Sequence, residues 1–321
     1  MPELAVALGL WQDRPSTEAL DTARAADELG YARLWIGELA TYDAFALGTA
    51  VPGRIPLVLG PFAVAVRTPV QIAIGAASVA ELTGRPVEVA LGSSSPVVVS
   101  GWHGRPYPAA PARALAETAT VLRSLLDGGR GELDGAVVRT RGYRLRAAAP
   151  GGALTVAAFG PGAVRVAGRL ADRMVVNLVT PESVARLVTG VRAAAAGAGR
   201  ATPQVAAWVC AAVDPTPDAV EQLRRGLVGY LGAPGYGEMF TEAGFGELVA
   251  FARTAPTPAE LLAAIPRDLV ECVAAIGSAD QVRARLAAYR TAGVDELCLV
   301  PASTPADPAG RATLAALAPR S

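Results

Sequence analysis

The first segment of this chain that could bind a ligand is an apolar run followed by glycine and serine. Residues 87–91 have the composition of a strand buried on both faces. Gly92 and three serines, Ser93, Ser94 and Ser95, come directly after it. Their N–H groups and hydroxyls can bind an anion, because parallel sheets bind ligands at the carboxyl ends of their strands. A solvated turn is the alternative interpretation of such a segment.

A second segment with the same chemistry begins at residue 154. Residues 154–159 form a short apolar run, which ends at Gly160, Pro161 and Gly162. Gly160 suits the N-cap of a helix and Pro161 its first position. The unpaired N–H groups of that first turn then favour an anion. The two segments together predict a site for a phosphate-bearing cofactor.

Two side chains are candidates for proton transfer. Glu38 follows the predicted second strand and would face the mouth of a barrel, where a carboxyl group can donate a proton if burial raises its pKa. An ion pair with a neighbouring arginine is the alternative. His103 is the only histidine, and a hydrogen-bonded structural role is its alternative. Trp11, Phe62 and Trp102 are candidate walls of a pocket for a flat ring or substrate, although Trp11 and Phe62 also suit the core.

Composition excludes several classes of function. The 321 residues carry 29 acidic and 29 basic side chains, so no net charge favours nucleic acid or an anionic membrane. No lysine is present, which excludes Schiff-base chemistry and a P-loop lysine. Three distant cysteines and one histidine predict neither a disulfide framework nor a metal site. Without a basic leader or an apolar run long enough to span a membrane, we expect a cytoplasmic protein.

Strand-like and helix-like runs alternate along nearly the whole chain. Eight strand-like runs with helices between them predict an α/β fold, a closed (β/α)8 TIM barrel forming one domain over residues 1–321. We expect a hairpin insert near 131–146 and a helical insert near 217–273. The helical insert is interpreted as a lid or a subunit contact, with a helical excursion of no function as the alternative. The predicted strands span 4–10, 34–36, 55–64, 87–91, 154–159, 174–177, 204–213 and 296–300.

Several short motifs together resemble a known family. They are Leu-Trp-Ile-Gly-Glu at 34–38, Asp-Ala-Phe at 43–45, Arg-Thr-Pro at 67–69, Leu-Gly-Ser-Ser-Ser-Pro at 91–96, Gly-Trp-His-Gly at 101–104 and Ala-Ala-Phe-Gly-Pro at 157–161. The combination is similar to the luciferase-like monooxygenase superfamily, and most similar to its branch that uses the deazaflavin coenzyme F420. Two positions depart from the family pattern, at Leu82-Thr83-Gly84-Arg85-Pro86 and at Ala171-Asp172-Arg173.

The resemblance implies a function and a set of cofactor residues. It implies an oxidoreductase that transfers a hydride between reduced F420 and a small organic substrate. The oligomeric state is left open, with a homodimer as one alternative. Gly60, Pro61 and Phe62 match a bulge in which relatives have a non-prolyl cis peptide bond under the cofactor ring, so Pro61 is a further departure from the family pattern. Residues 92–95 and 160–162 match the phosphate-binding elements. The alternatives are a two-component monooxygenase that uses FMN, and a barrel without cofactor that serves as a binding or scaffold subunit.

Overall fold

The main sheet of the protein is closed on itself. The computed structural model describes residues 3–11 and 13–319, and its strands in chain order are β1 (Glu3–Ala7), β2 (Leu34–Ile36), β3 (Leu57–Ala63), β4 (Val87–Gly92), β5 (Gly131–Asp134), β6 (Arg139–Tyr143), β7 (Leu154–Ala157), β8 (Arg173–Asn177), β9 (Gln204–Val213), β10 (Ala275–Gly277) and β11 (Glu296–Pro301). Parallel pairing runs in the order β9, β11, β1, β2, β3, β4, β7, β8, and β8 pairs with β9 to close the ring. Within the described residues these eight strands confirm the predicted (β/α)8 barrel.

Helices connect the strands on the outside of the barrel. In the described part of the chain they are α1 (Thr17–Glu28), α2 (Ala44–Ala50), α3 (Pro69–Thr83), α4 (Pro111–Leu126), α5 (Pro161–Leu170), α6 (Pro181–Ala196), α7 (Pro217–Leu227), α8 (Tyr236–Phe240), α9 (Gly246–Arg253), α10 (Pro258–Ala264), α11 (Arg267–Val273), α12 (Ala279–Thr291) and α13 (Arg311–Leu317). π-Helical turns lie at Val97–Trp102 and Thr241–Phe245, and a short 3-10 turn lies at Pro308–Gly310. No helix within 3–11 and 13–319 is both long and apolar enough to cross a membrane.

Local sequence determines where the helices begin. The Thr68 hydroxyl accepts the N–H of Gln71, whose side chain returns a bond to the Thr68 N–H, and Pro69 occupies the first turn of α3. The hydroxyls of Thr180 before α6 and Thr216 before α7 also accept an N–H of the first turn, and each threonine is followed by proline. Such caps satisfy N–H groups that lack a partner within the helix. Each helix therefore starts at a defined residue after its strand.

The edges of several elements differ from the predictions. β1 ends at Ala7 instead of residue 10, and Leu10 has φ of 48°, a left-handed conformation that interrupts a strand. The hairpin formed by β5 and β6 ends at Tyr143 instead of residue 146. Residues 217–273 contain α7 to α11, and the unpredicted strand β10 then pairs with β9.

A charged cluster fills the base of the barrel, at the amino ends of the strands. We call Arg33, Glu88, Arg173 and Glu296 the base cluster. Arg173 donates to Glu88 at 2.7 Å, and its Nε lies 3.3 Å from a Glu296 oxygen. The indole of Trp35 donates to the other Glu296 oxygen at 2.7 Å. Arg173 and Glu296 are each only 3% exposed. The family departure at Arg173 thus supplies a buried cation.

The second departure from the family pattern also has a structural role. Arg85 is buried and donates through one guanidinium nitrogen to the carbonyls of Val51, at 2.6 Å, and Gly53. Val51 is the C-cap of α2, so Arg85 satisfies carbonyl groups at the end of that helix. The positive charge also suits the negative end of the helix dipole.

Candidate functional site

Small residues from three neighbouring strands form a platform at the mouth, the barrel end where the carboxyl ends of the strands lie. A Cβ atom added to Gly92 of β4 would lie 3.3 Å from the Pro61 Cβ of β3 and 3.6 Å from the Ala157 Cβ of β7. We call these three residues the platform. Because β3, β4 and β7 are adjacent in the sheet, the structure brings the three predicted cofactor segments to one side of the mouth.

The predicted bulge is present in β3. The Gly60–Pro61 peptide bond is cis, and the pairing of β3 with β4 shifts register between Leu59 and Phe62. Gly60 has φ of 106°, and a Cβ there would lie 2.4 Å from the Ala90 carbonyl oxygen. Only glycine fits both the backbone conformation and this close approach.

Phe62 corrects one prediction. Its side chain is fully buried, and its ring stacks on Phe45 of α2 with centroids 4.7 Å apart. A Cβ on Gly75 of α3 would meet the same Phe45 ring at 2.5 Å, so this aromatic pair lies between the sheet and its outer helices. The Phe62 ring therefore belongs to the core and cannot form a wall against a ligand, which leaves Pro61 as the residue of this segment on the platform.

The serine loop, Ser93 to Ser95, is held from both sides. The Ser95 hydroxyl accepts the Val98 N–H at 3.3 Å, and the Tyr107 hydroxyl donates to the Ser94 carbonyl at 3.3 Å. Ser94 is exposed with φ of 59°, a left-handed conformation. Among the hydrogen bonds of the described residues, none uses the Ser93 or Ser94 hydroxyl. These two hydroxyls are available to a ligand.

The second predicted anion segment forms the first turn of α5. Gly160 is its N-cap with extended backbone, Pro161 follows at the first position, and no side chain caps the helix. A Cβ on Gly162 would lie 3.0 Å from the Ala112 Cβ of α4, so the first turns of α4 and α5 are in close contact. The free N–H groups and the positive end of the α5 dipole favour an anion at this position.

Glu38 forms the ion pair that the sequence left as its alternative role. Arg67 donates to both Glu38 oxygens, from Nε at 2.8 Å and from a terminal nitrogen at 2.6 Å, and the Ala44 N–H donates at 3.1 Å. Hydrogen bonds to Glu38, followed by the neighbouring Asp43, hold the pKa of Arg67 above its usual range. A carboxyl group that donates a proton needs a free oxygen, so this geometry disfavours Glu38 as the proton donor. Sequence reasoning did not identify Arg67 as its partner.

His103 and Trp102 lie on the rim beyond the serine loop. His103 directly follows the π-helical turn Val97–Trp102 and is exposed. Trp102 is 55% exposed. Neither side chain makes a hydrogen bond within the described residues. Both therefore face solvent in this structure, and neither forms a pocket wall here.

Trp11 lies on another side of the mouth. Its indole donates to the carbonyl of Pro301, the last residue of β11, at 3.1 Å. Together with Leu8 and Tyr42 it lines a narrow cleft beside β1. The predicted pocket residues Trp11 and Trp102 are thus held by connections after different strands.

Aromatic residues of the helical insert cover the β7 and β8 side of the mouth. We call Phe159, Tyr230 and Tyr236 the aromatic cluster. Phe159 follows β7 and stacks on Tyr236 with centroids 4.4 Å apart, while Tyr230 meets Tyr236 edge to face at 5.0 Å. Asn177, the last residue of β8, lies near the Tyr230 hydroxyl. Burial raises the pKa of both tyrosines, so their hydroxyls stay protonated at neutral pH.

The sequence analysis missed Tyr230 and Tyr236. Their only sequence signal is that aromatic residues interrupt a glycine-rich stretch of the insert. The described residues contain no group of three or more His, Cys, Asp or Glu side chains arranged to hold a metal ion.

Comparison with known proteins gives one family and several similar folds. The model of the luciferase-like monooxygenase family matches residues 6–296. A coenzyme F420 dependent tetrahydromethanopterin reductase from Methanopyrus kandleri is 21% identical with a TM-score of 0.82, and 99% of this chain and 97% of that chain are covered.

Two further solved structures are similar in fold. An F420-dependent secondary alcohol dehydrogenase, in complex with an F420-acetone adduct, is 17% identical with a TM-score of 0.78, over 98% of this chain and 97% of the other. The oxygenating constituent of 3,6-diketocamphane monooxygenase from Pseudomonas putida, in complex with FMN, is 18% identical with a TM-score of 0.70, over 99% and 97%. At these identities the likeness shows the fold alone.

Proposed function

Because the chain belongs to the luciferase-like monooxygenase family, we propose that it is an oxidoreductase that transfers a hydride between coenzyme F420 and a small organic substrate. One observation carries the proposal. The platform, the serine loop and the first turn of α5 lie at the carboxyl ends of three adjacent strands. A flat apolar surface beside two anion-binding segments matches a cofactor that has a planar ring and a phosphate.

Different residues would bind the ring and the phosphate of such a cofactor. The platform offers one face of small side chains to a ring, with no bulky group between Pro61 and Ala157. Hydroxyls of the serine loop and N–H groups of α5 are the donors for a phosphate. When bound, reduced F420 supplies the hydride, while the protein orients the ring and excludes water.

The aromatic cluster supports the exclusion of water. Phe159 and Tyr236 stack over the side of the mouth that contains the β7 part of the platform. Removing water from a site strengthens electrostatic interactions within it and prevents side reactions of a reduced cofactor. We assign to Glu38 the role of positioning Arg67 and α2, since it bonds to both. The remaining proton-transfer candidate from the sequence, His103, is the proposed proton donor, and it would act from the rim beyond the serine loop.

F420 is proposed ahead of FMN because the motifs at 91–96, 101–104 and 157–161 resemble the F420-dependent branch of the family. Among the structures similar in fold, two are F420-dependent and one is bound to FMN, so the same fold serves either cofactor. An FMN-dependent monooxygenase is the second candidate, because it would use the same platform and phosphate donors. A deazaflavin transfers two electrons at once and needs neither oxygen nor a partner reductase.

Direct titration tests the proposal. The purified protein is mixed with F420 or with FMN, and binding is followed by cofactor fluorescence. We expect F420 to bind at least about tenfold more tightly than FMN, a difference of about 1.4 kcal/mol. Tighter binding of FMN would support the monooxygenase instead. Binding of neither cofactor would support the third alternative, a scaffold barrel.

A further inference from the structure

Arginines outnumber acidic residues in the part of the chain that begins with the serine loop. The whole chain has no net charge, yet residues 93–169 contain ten arginines and four acidic residues. Arg105, Arg113 and Arg141 are exposed, and none of them forms an ion pair with another described residue. Most other arginines are paired, as in Arg186 with Glu242. Unpaired surface arginines leave a local positive potential in an otherwise neutral protein.

Two of these arginines lie next to the predicted phosphate donors. Arg113 is in the first turn of α4, and its neighbour Ala112 is the residue that Gly162 of α5 approaches. Arg105 lies two residues before Tyr107, whose hydroxyl donates a hydrogen bond to the Ser94 carbonyl. A ligand that leaves the serine loop toward α4 therefore meets Arg105 and Arg113.

The hairpin of β5 and β6 brings further arginines to α4, beside the exposed acidic residues Glu132 and Asp134 of β5. Glu117, one helical turn after Arg113, accepts the N–H groups of Ala136 at 3.1 Å, Val137 at 2.8 Å and Val138 at 2.8 Å. Although burial alone would raise it, these bonds and the nearby Arg113 hold the pKa of Glu117 below its usual value. The acidic side chain thus fixes the hairpin turn against α4.

Alternation along β6 turns the arginines outward. The Thr140 hydroxyl is buried, whereas Arg139 and Arg141 on either side are exposed. Arg139 lies 3.5 Å from Asp134, but both side chains are largely in solvent, where such a pair is weak. We call Arg105, Arg113, Arg139 and Arg141 the arginine surface.

We propose that the arginine surface binds the acidic tail of coenzyme F420, the chain of glutamate carboxylates that follows its phosphate. This inference rests on the proposed function. Guanidinium groups bind carboxylates through two parallel hydrogen bonds, and arginine remains charged at any physiological pH. FMN ends at its phosphate and would make no use of this surface.

The test compares F420 that carries several glutamates with F420 that carries none, by fluorescence titration without any substrate. For the unmodified protein we expect the long tail to improve affinity about fivefold at low salt, the range for a few exposed ion pairs. The improvement should shrink at high salt, where the Debye length falls below about 10 Å. The double variant Arg113→Gln/Arg141→Gln should lose it, with affinity for the tailless cofactor unchanged within about twofold.

Arg54→Gln/Arg192→Gln is the matched control, since both arginines are exposed and form no ion pair with described residues. This control variant should bind the long-tailed cofactor more tightly than the tailless one, to the same extent as the unmodified protein. Equal affinity of the two cofactor forms for the unmodified protein would overturn the inference while leaving the proposed function intact. So would a double variant that still prefers the long tail. Binding of neither form would overturn the proposed function as well.

Discussion

At the scale of single residues, Ser94 is the most direct test of the cofactor site. Ser94→Asp places a negative charge where we expect a phosphate, and two charges about 4 Å apart repel by about 4 kcal/mol at an effective dielectric constant near 20. Aspartate tolerates left-handed backbone well, so the φ of 59° at this position should be kept. We expect affinity for F420 to fall about a hundredfold or more, measured by fluorescence titration.

The matched control introduces the same charge elsewhere. Ser78 is exposed on α3, where its hydroxyl bonds only to the carbonyl of Ile74 in the preceding turn. Ser78→Asp should leave the affinity unchanged. A correctly folded Ser94→Asp protein with the affinity of the unmodified protein would remove the serine loop from the site.

At the scale of elements, the helical insert contacts the segment after β7 through Tyr236. Tyr236→Ala removes a partly buried ring that stacks on Phe159 with centroids 4.4 Å apart. An aromatic pair of this kind contributes about 0.5–1.5 kcal/mol beyond the area it buries. We expect faster amide hydrogen exchange in α8 and in residues 158–160, with exchange in β1 and β2 unchanged. Local opening of this kind changes exchange only in the segment that loses its contacts.

Two variants separate this effect from a general loss of stability. Tyr236→Phe keeps the stacked ring and should exchange like the unmodified protein. Phe251→Ala truncates an aromatic residue of the same insert that is already 38% exposed, and it should not affect residues 158–160. Equally faster hydrogen exchange of residues 158–160 in Tyr236→Ala and Phe251→Ala would argue against the Tyr236–Phe159 stack as the contact that holds the insert there.

At the scale of the whole molecule, the base cluster stabilises the closed barrel. Arg173→Ala removes the more deeply buried of the two arginines beside Glu296, which is 3% exposed, and leaves only Arg33, whose Nε is 3.4 Å away. Removing one partner of a buried ion pair costs about 3–5 kcal/mol. We expect chemical denaturation to show a loss of this size in the free energy of unfolding. Arg186→Ala breaks a pair whose side chains are 59% and 61% exposed, and it should cost at most about 1 kcal/mol. A similar small loss in both variants would contradict a stabilising role for the base cluster.

The sequence alone determined the order of the barrel strands and placed the two predicted anion segments directly after strands. Both depend on short-range patterns, such as the apolar run before Gly92 and the Gly160-Pro161 start of α5. Buried parallel strands and helix starts leave such patterns within a few residues, so their order along the chain was sufficient to predict the fold.

Only the tertiary structure decided what the individual side chains do. Glu38 meets Arg67, 29 positions away, and Arg173 meets Glu88, 85 positions away. The contacts of Phe62 with Phe45 and of Tyr236 with Phe159 likewise join separate segments of the chain. A side chain's partner, burial and direction depend on which segments the closed barrel brings together, and no local pattern in the chain carries that information.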